Sequence, residues 1–291
     1  MRSLVHETAT AVPARIVVCA DDYGLTPGVS RGIRELIAKR RISATSAMTV
    51  SPHWPQEATA LRAVAGDCDV GLHIVLTDHQ PLGRLSQLAP DGRLPPLSRV
   101  FRAGLARRLP MAEVEREIER QLDAFVAAWG APPSHIDGHH HVHQLPGVRA
   151  AVVRLARRIG GGRTWVRCCN EQLGLTLRRG VATGKSFVIG SLGASVERLA
   201  HEHGVPTNAG FAGVYDFEKE TRPYAALCAR FLVGQRDNGL LMCHPGYSDA
   251  ELGRLDTLTT HREAELAYLA GDAWPAALSA HGLELGPLRR A

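Results

Sequence analysis

The stretch Arg15-Ile-Val-Val-Cys-Ala-Asp-Asp-Tyr-Gly24 carries five apolar residues into a pair of carboxylates, Asp21 and Asp22, and then into a glycine. A short apolar run rich in β-branched residues and bounded by charge reads as a buried strand, so both carboxylates emerge at its C-terminal end. Within a strand they would face opposite sides, but a chain leaving through Tyr23-Gly24 can turn both the same way. The same kind of run recurs at 45–50, 69–76, 135–137, 164–168, 187–189 and 239–244. Between the runs lie helical patterns. Residues 113–129 place Val114, Ile118, Leu122, Phe125, Val126 and Trp129 on one face with charges opposite, and Gly130-Ala-Pro-Pro133 ends the pattern. Ile33-Leu36-Ile37 and Val148-Val152-Leu155-Ile159 give two further stripes at helical spacing. The Pro-, Gly- and Arg-rich stretch 78–109 is expected as a loop on the rim of the site.

Strand and helix alternate over the whole length, which predicts an α/β fold with a parallel sheet. Asp21-Asp22, His73, the histidines of 135–143, Arg167 and His244 each fall at or just beyond the end of a different strand. In a barrel those ends converge on one mouth, whereas an open sheet of this length would hold several of them too far apart. The expectation is a TIM-like (β/α) barrel, irregular or incomplete, formed by residues 15–291 as a single catalytic domain behind a flexible N-terminus over 1–14.

Composition sets the outer limits. The chain has 291 residues, 45% apolar and 22% charged, with no internal repeat. A net charge of +5 raises the question of nucleic acid, but the arginines are scattered and no aromatic residues are interleaved with them, so a solvated basic surface is expected. Residues 1–14 lack the features of a signal peptide, and no stretch approaches the roughly 20 apolar residues of a membrane span. A cytoplasmic protein follows, one that meets neither membrane nor nucleic acid. The expected assembly allows for a homodimer. The six cysteines form no C-x-x-C pair and are expected as free thiols.

Chemistry concentrates in Ser134-His-Ile-Asp-Gly-His-His-His-Val-His143, which holds five of the 14 histidines in ten residues. Imidazole is the commonest ligand for first-row metals and the usual proton carrier near neutral pH. The run is internal and interrupted, unlike a purification tag. His73 interrupts an otherwise apolar strand. With Asp22 and one histidine of the cluster it makes one carboxylate and two imidazoles, a set that binds Zn²⁺, Fe²⁺, Co²⁺ or Mn²⁺ with positions left open. His244-Pro245-Gly246 ends the last strong strand and offers a general acid.

In this order, Ala20-Asp-Asp-Tyr-Gly-Leu25, Ser43-Ala-Thr-Ser46, Gly71-Leu-His-Ile-Val-Leu-Thr77, His135-Ile-Asp-Gly-His-His-His-Val-His143, Val166-Arg167 and Met242-Cys-His-Pro-Gly246 make the chain resemble the YdjC-like carbohydrate deacetylases. That resemblance implies a divalent ion, Mg²⁺ or Zn²⁺, held by Asp22, His73 and His139, with Asp21 as catalytic base and His244 as the acid that protonates a departing amine. The ligand role goes to His139 and not to His140, because the family pattern takes the histidine after Asp-Gly. Tyr23, Arg167, His141, His143, Pro245 and Gly246 are expected to contact substrate. Asn208, ahead of Phe211-Ala-Gly213, departs from the resemblance, since some relatives carry an acidic residue near here, and its role stays open. The resemblance implies a small carbohydrate as partner and, as the reaction, removal of an N-acetyl group from an amino sugar or an N-acetylglucosamine-containing oligosaccharide with release of acetate. Two rival readings are a metal-dependent phosphoesterase, disfavoured by the absence of a Gly-rich phosphate motif, and a sugar-binding protein without turnover, which would have no use for Asp21 beside Asp22.

Overall fold

A computed structural model describes residues 12–217, 219–256 and 258–289. Most of the expected N-terminal tail, residues 1–11, lies outside them. In chain order the elements are β1 (Ala14–Tyr23), α1 (Pro27–Ala38), β2 (Ala44–Ala47), α2 (Trp54–Arg62), β3 (Asp69–Ile74), α3 (Leu97–Leu105), α4 (Met111–Trp129) and β4 (His135–Gly138). A 3-10 turn (His139–Gln144) follows, then α5 (Val148–Gly160), β5 (Trp165–Val166), α6 (Leu173–Arg179), α7 (Thr183–Glu202) and β6 (Phe211–Ala212). The chain continues through α8 (Tyr224–Phe231), β7 (Gly239–Cys243), α9 (Leu252–Leu255), α10 (Thr260–Ala270), α11 (Ala273–Ala280) and β8 (Leu283–Leu285).

The strands pair in parallel in the order β5-β4-β3-β2-β1-β7-β6, and β8 adds to the first residues of β1. The two ends of this ladder meet. Val166 of β5 bridges Thr207, and its N–H donates to the Pro206 carbonyl, while Leu240 of β7 donates to Gly210 on the same segment. The sheet is thus curled into an irregular barrel of the expected kind, with a seam between β5 and the 206–212 segment. Asn208 spans that seam. Its Oδ1 accepts from the Cys168 N–H at 2.7 Å, and its Nδ2 donates to the Cys168 and Gly210 carbonyls at 2.8 Å each. The carboxamide replaces the backbone pairing that the short strands do not supply.

The helices cover the outside through apolar faces. Pro27 opens α1, Thr26 caps it, and Val29, Ile33, Leu36 and Ile37 go into the core, at about 1.5–3 kcal/mol each. On α4 the expected face holds for Val114, Ile118, Leu122 and Phe125, but the opposite side is not simply solvated. Glu113, Glu117 and Gln121 are buried as well, because the chain after β3 folds back over them. Glu117 accepts from the Leu82 and Gly83 N–H groups, Glu113 from Gln87 and Leu88, and Gln121 pairs with both the N–H and the carbonyl of Val75. That excursion, expected as a loop over 78–109, contains α3.

One strand assignment is corrected. Phe187-Val188-Ile189 lies in the middle of α7, not in the sheet. Three bulky residues in succession imitate a buried strand, yet Phe187 and Val188 stand 55% and 48% exposed on the helix. The short strands β6 and β8 carry too little apolar sequence to stand out. The six cysteines are free thiols.

Candidate active site

β1 bulges at its end. Its register against β2 shifts between Ala20 and Tyr23, and Asp22 adopts a left-handed conformation with φ of 65°. A bulge breaks the alternation of a strand, so Asp21 and Asp22 both border the same cavity at the C-terminal ends of the strands. Asp22 Oδ1 lies 3.3 Å from His73 Nε2 of β3 and 3.0 Å from His139 Nδ1 in the 3-10 turn. Asp22 Oδ2 is taken by the buried Arg262 of α10 at 2.6 Å, and the same nitrogen reaches Asp256 at 2.7 Å. Burial alone would raise the Asp22 carboxyl, but Arg262 and the two histidines hold it well below the usual carboxylate range.

Beneath this lies a second layer. Arg167, with no exposed side-chain surface, forks onto both oxygens of Asp21 at 2.6 Å and touches Asp137 at 2.5 Å. Asp137 in turn holds His73 Nδ1 at 2.7 Å, which fixes the ring and turns Nε2 toward Asp22. Burial opposes charge on His73, yet Asp137 pushes its pKa up to about 10. Ser46 of β2 touches both Asp21 and His73.

Past β4 the backbone is strained. His140 and His141 have φ of 54° and 58°, a region that costs a side-chain-bearing residue roughly 1 kcal/mol or more. This double turn sends neighbouring rings in different directions. His139 faces Asp22, His140 shares a hydrogen bond with Thr77 Oγ1, and His141 lines the cavity against Phe211. His143 points the other way and bonds the Arg167 carbonyl. Across the cavity stands His244, edge-on to Phe217. Its backbone N–H donates to Glu265 of α10 at 2.6 Å, and Glu265 also accepts from Tyr215 at 2.5 Å. Burial keeps His141 well below its ordinary value and brings His244 down to about 4.

The cavity has a volume of about 740 Å³. Of the residues expected to contact substrate, it is lined by His141 alone. Tyr23 is fully buried and donates to the Glu57 carbonyl; Arg167 and His143 lie under the floor; Pro245 and Gly246 pack behind it, Gly246 too close to Val29 for any side chain. Arg262, Glu265, Tyr215 and Lys185 belong to the site without belonging to any motif of the sequence. Arg262 and Glu265 sit in Thr260-His-Arg-Glu-Ala-Glu-Leu266, which has the composition of a solvent-facing helix and gives no signal of burial.

Among the described residues, three groups of side chains bring ligating atoms within 4.8 Å of one another: Asp22-His73-His139, Asp21-His73-Asp137 and Cys19-His135-Asp137. Each set holds a carboxylate already paired with an arginine, Asp22 with Arg262 and Asp137 with Arg167, so position separates them. Only the first has all its members on the cavity wall, with one carboxylate oxygen and two ring nitrogens converging. It is the set that suits a small divalent ion.

A family model described as YdjC-like protein matches residues 15–280. The chain belongs to the YdjC-like family. YdjC-like relatives include a chitooligosaccharide deacetylase of Serratia marcescens, 31% identical over 273 residues, which cover 93% of this chain and 96% of that protein. One of Yersinia pestis bv. Antiqua (strain Angola) is also 31% identical, with the same coverage. Among solved structures, an Enterococcus faecalis V583 protein described as a candidate for cellobiose-phosphate cleavage superposes with a TM-score of 0.72 at 22% identity, over 94% of this chain and 97% of that one. At that identity the likeness speaks for the fold alone.

Proposed function

We propose that residues 15–291 act as one carbohydrate N-deacetylase that hydrolyses the N-acetyl amide of an amino sugar to acetate and a free amine. The observation that carries this reading is the placement of an ion-paired Asp21 beside Asp22, His73 and His139 on one cavity wall, in a chain whose full-length relatives are named chitooligosaccharide deacetylases. A divalent ion held by Asp22, His73 and His139 would supply an acidified water and a polarised carbonyl. The remaining chemistry falls to the chain itself. Asp21, oriented by the Arg167 fork, takes a proton from the attacking water. His244 enters neutral at physiological pH, so the proton it delivers to the departing nitrogen must reach it during the reaction.

The test is acetate release from N-acetylglucosamine-containing di- and oligosaccharides with added Mg²⁺ or Zn²⁺, followed by mass spectrometry. Loss of one acetyl group per molecule is the expected result. Shortened sugar chains would assign a glycosidase, which needs two carboxylic acids flanking the bond. Phosphate release from sugar phosphates without acetate release would assign the phosphoesterase, and no change across the panel a binding role.

A further inference from the structure

The cavity changes character from floor to mouth. Its floor is Asp21, Asp22, His73, His139 and His244; its walls are Leu97 and Phe101 from α3, Val188, Ile189 and Leu192 from α7, and Leu258. A hydroxyl-rich sugar chain is recognised by donors and acceptors along its length; these six side chains provide none, and the polar groups beside them are Ser98, Gln144, Lys185, Tyr215, Asp256 and Arg262 with the histidines of the turn. Apolar surface continues outward. Of the nine large apolar side chains that stand exposed among the described residues, seven lie in segments that leave the C-terminal ends of β3, β5 and β7, namely Leu82, Leu105, Leu173, Leu177, Phe187, Val188 and Leu255, and Val188 among them also lines the cavity. Only Val12 and Val126 lie elsewhere. An apolar lining that runs from a reacting pocket onto an exposed side chain, as at Val188, suits a ligand with an apolar part.

We infer that the substrate is an amphiphile, an N-acetylated amino sugar joined to a hydrocarbon chain, with the sugar on the Asp/His floor and the chain leaving between α3 and α7. This rests on the deacetylase reading and specifies what the sugar is attached to. The floor fits one polar head group; the walls fit a run of methylenes.

The experiment compares N-acetylglucosaminides with methyl, butyl and octyl aglycones, and chitobiose, all as monomers in solution, by the kcat and KM of acetate release. Each buried methylene should lower KM roughly three- to fourfold, so an octyl glycoside that buries about four of its seven additional methylenes should gain on the order of 100-fold over the methyl glycoside. Val188→Asp should abolish that gain and Val188→Thr, of similar size, should reduce it. KM independent of aglycone, or chitobiose preferred to the octyl glycoside, overturns the inference while deacetylation stands. Binding to phosphatidylcholine vesicles with no KM gain for the soluble octyl glycoside assigns the rim to a bilayer surface and overturns it as well. No acetate from any of the glycosides overturns the deacetylase reading and this inference with it.

Discussion

At Asp22 the two carboxylate oxygens have different work: Oδ2 is occupied by Arg262, and Oδ1 is left facing His73 and His139. Elemental analysis after loading should therefore find one divalent ion per chain in the unaltered protein and in His140→Ala, whose ring turns to Thr77, and none in His73→Ala or His139→Ala. Full occupancy in the last two would remove these residues from the ligand set. The neighbouring carboxylate separates metal from chemistry. Asp21→Asn keeps the geometry within reach of Arg167 and should retain the ion while lowering kcat by roughly 10²–10⁴-fold, the usual contribution of a positioned base. Asp22→Asn should fail through weakened ion affinity, recoverable in part with excess metal; equal affinity in the two variants would contradict this division.

Among the elements, the strands that end in chemistry are legible because an apolar run closing on Asp or His sets a polar group where a buried strand runs out. What such a pattern does not reveal is depth. Arg167 stands at a strand end like His73, yet its guanidinium turns under the floor to join Asp21 and Asp137, and Tyr23 is drawn into the core by Glu57 and Arg34. The α7 rim imitates a strand because bulky residues in succession look alike in a buried sheet and on a half-exposed helix. Asn208 has no local signature, since its Cys168 partners are backbone groups more than 30 residues away. Its function in the seam is testable. Asn208→Ala removes three hydrogen bonds and leaves buried backbone groups unpaired, so it should destabilise by roughly 3 kcal/mol and lower Tm by about 5–10 °C without changing metal content. An unaltered Tm would mean the seam does not depend on it.

For the molecule as a whole, stability should carry the mark of one buried acid. Burial raises Glu265 to about 7, despite its hydrogen bonds from Tyr215 and His244. A folded-state value above the unfolded value of about 4.3 means this group favours the folded state most below pH 4, and that the contribution is lost as pH rises toward 7 and beyond. Glu265→Gln removes the titration, so denaturant midpoints should show the variant gaining on the unaltered protein between pH 5 and pH 8; a constant difference would mean the acid titrates normally. The architecture also determines how the fold would come apart. A closed ring of strands has no edge, but this ring is fastened at its seam, among the described residues, by the Val166–Thr207 bridge and the Asn208 carboxamide. Opened there, β5 and the 206–212 segment become two unpaired strand edges, each the complement of the other on a second copy. Heat would convert the molecule's weakest joint into its stickiest surface, and aggregation would begin by strand addition at the seam.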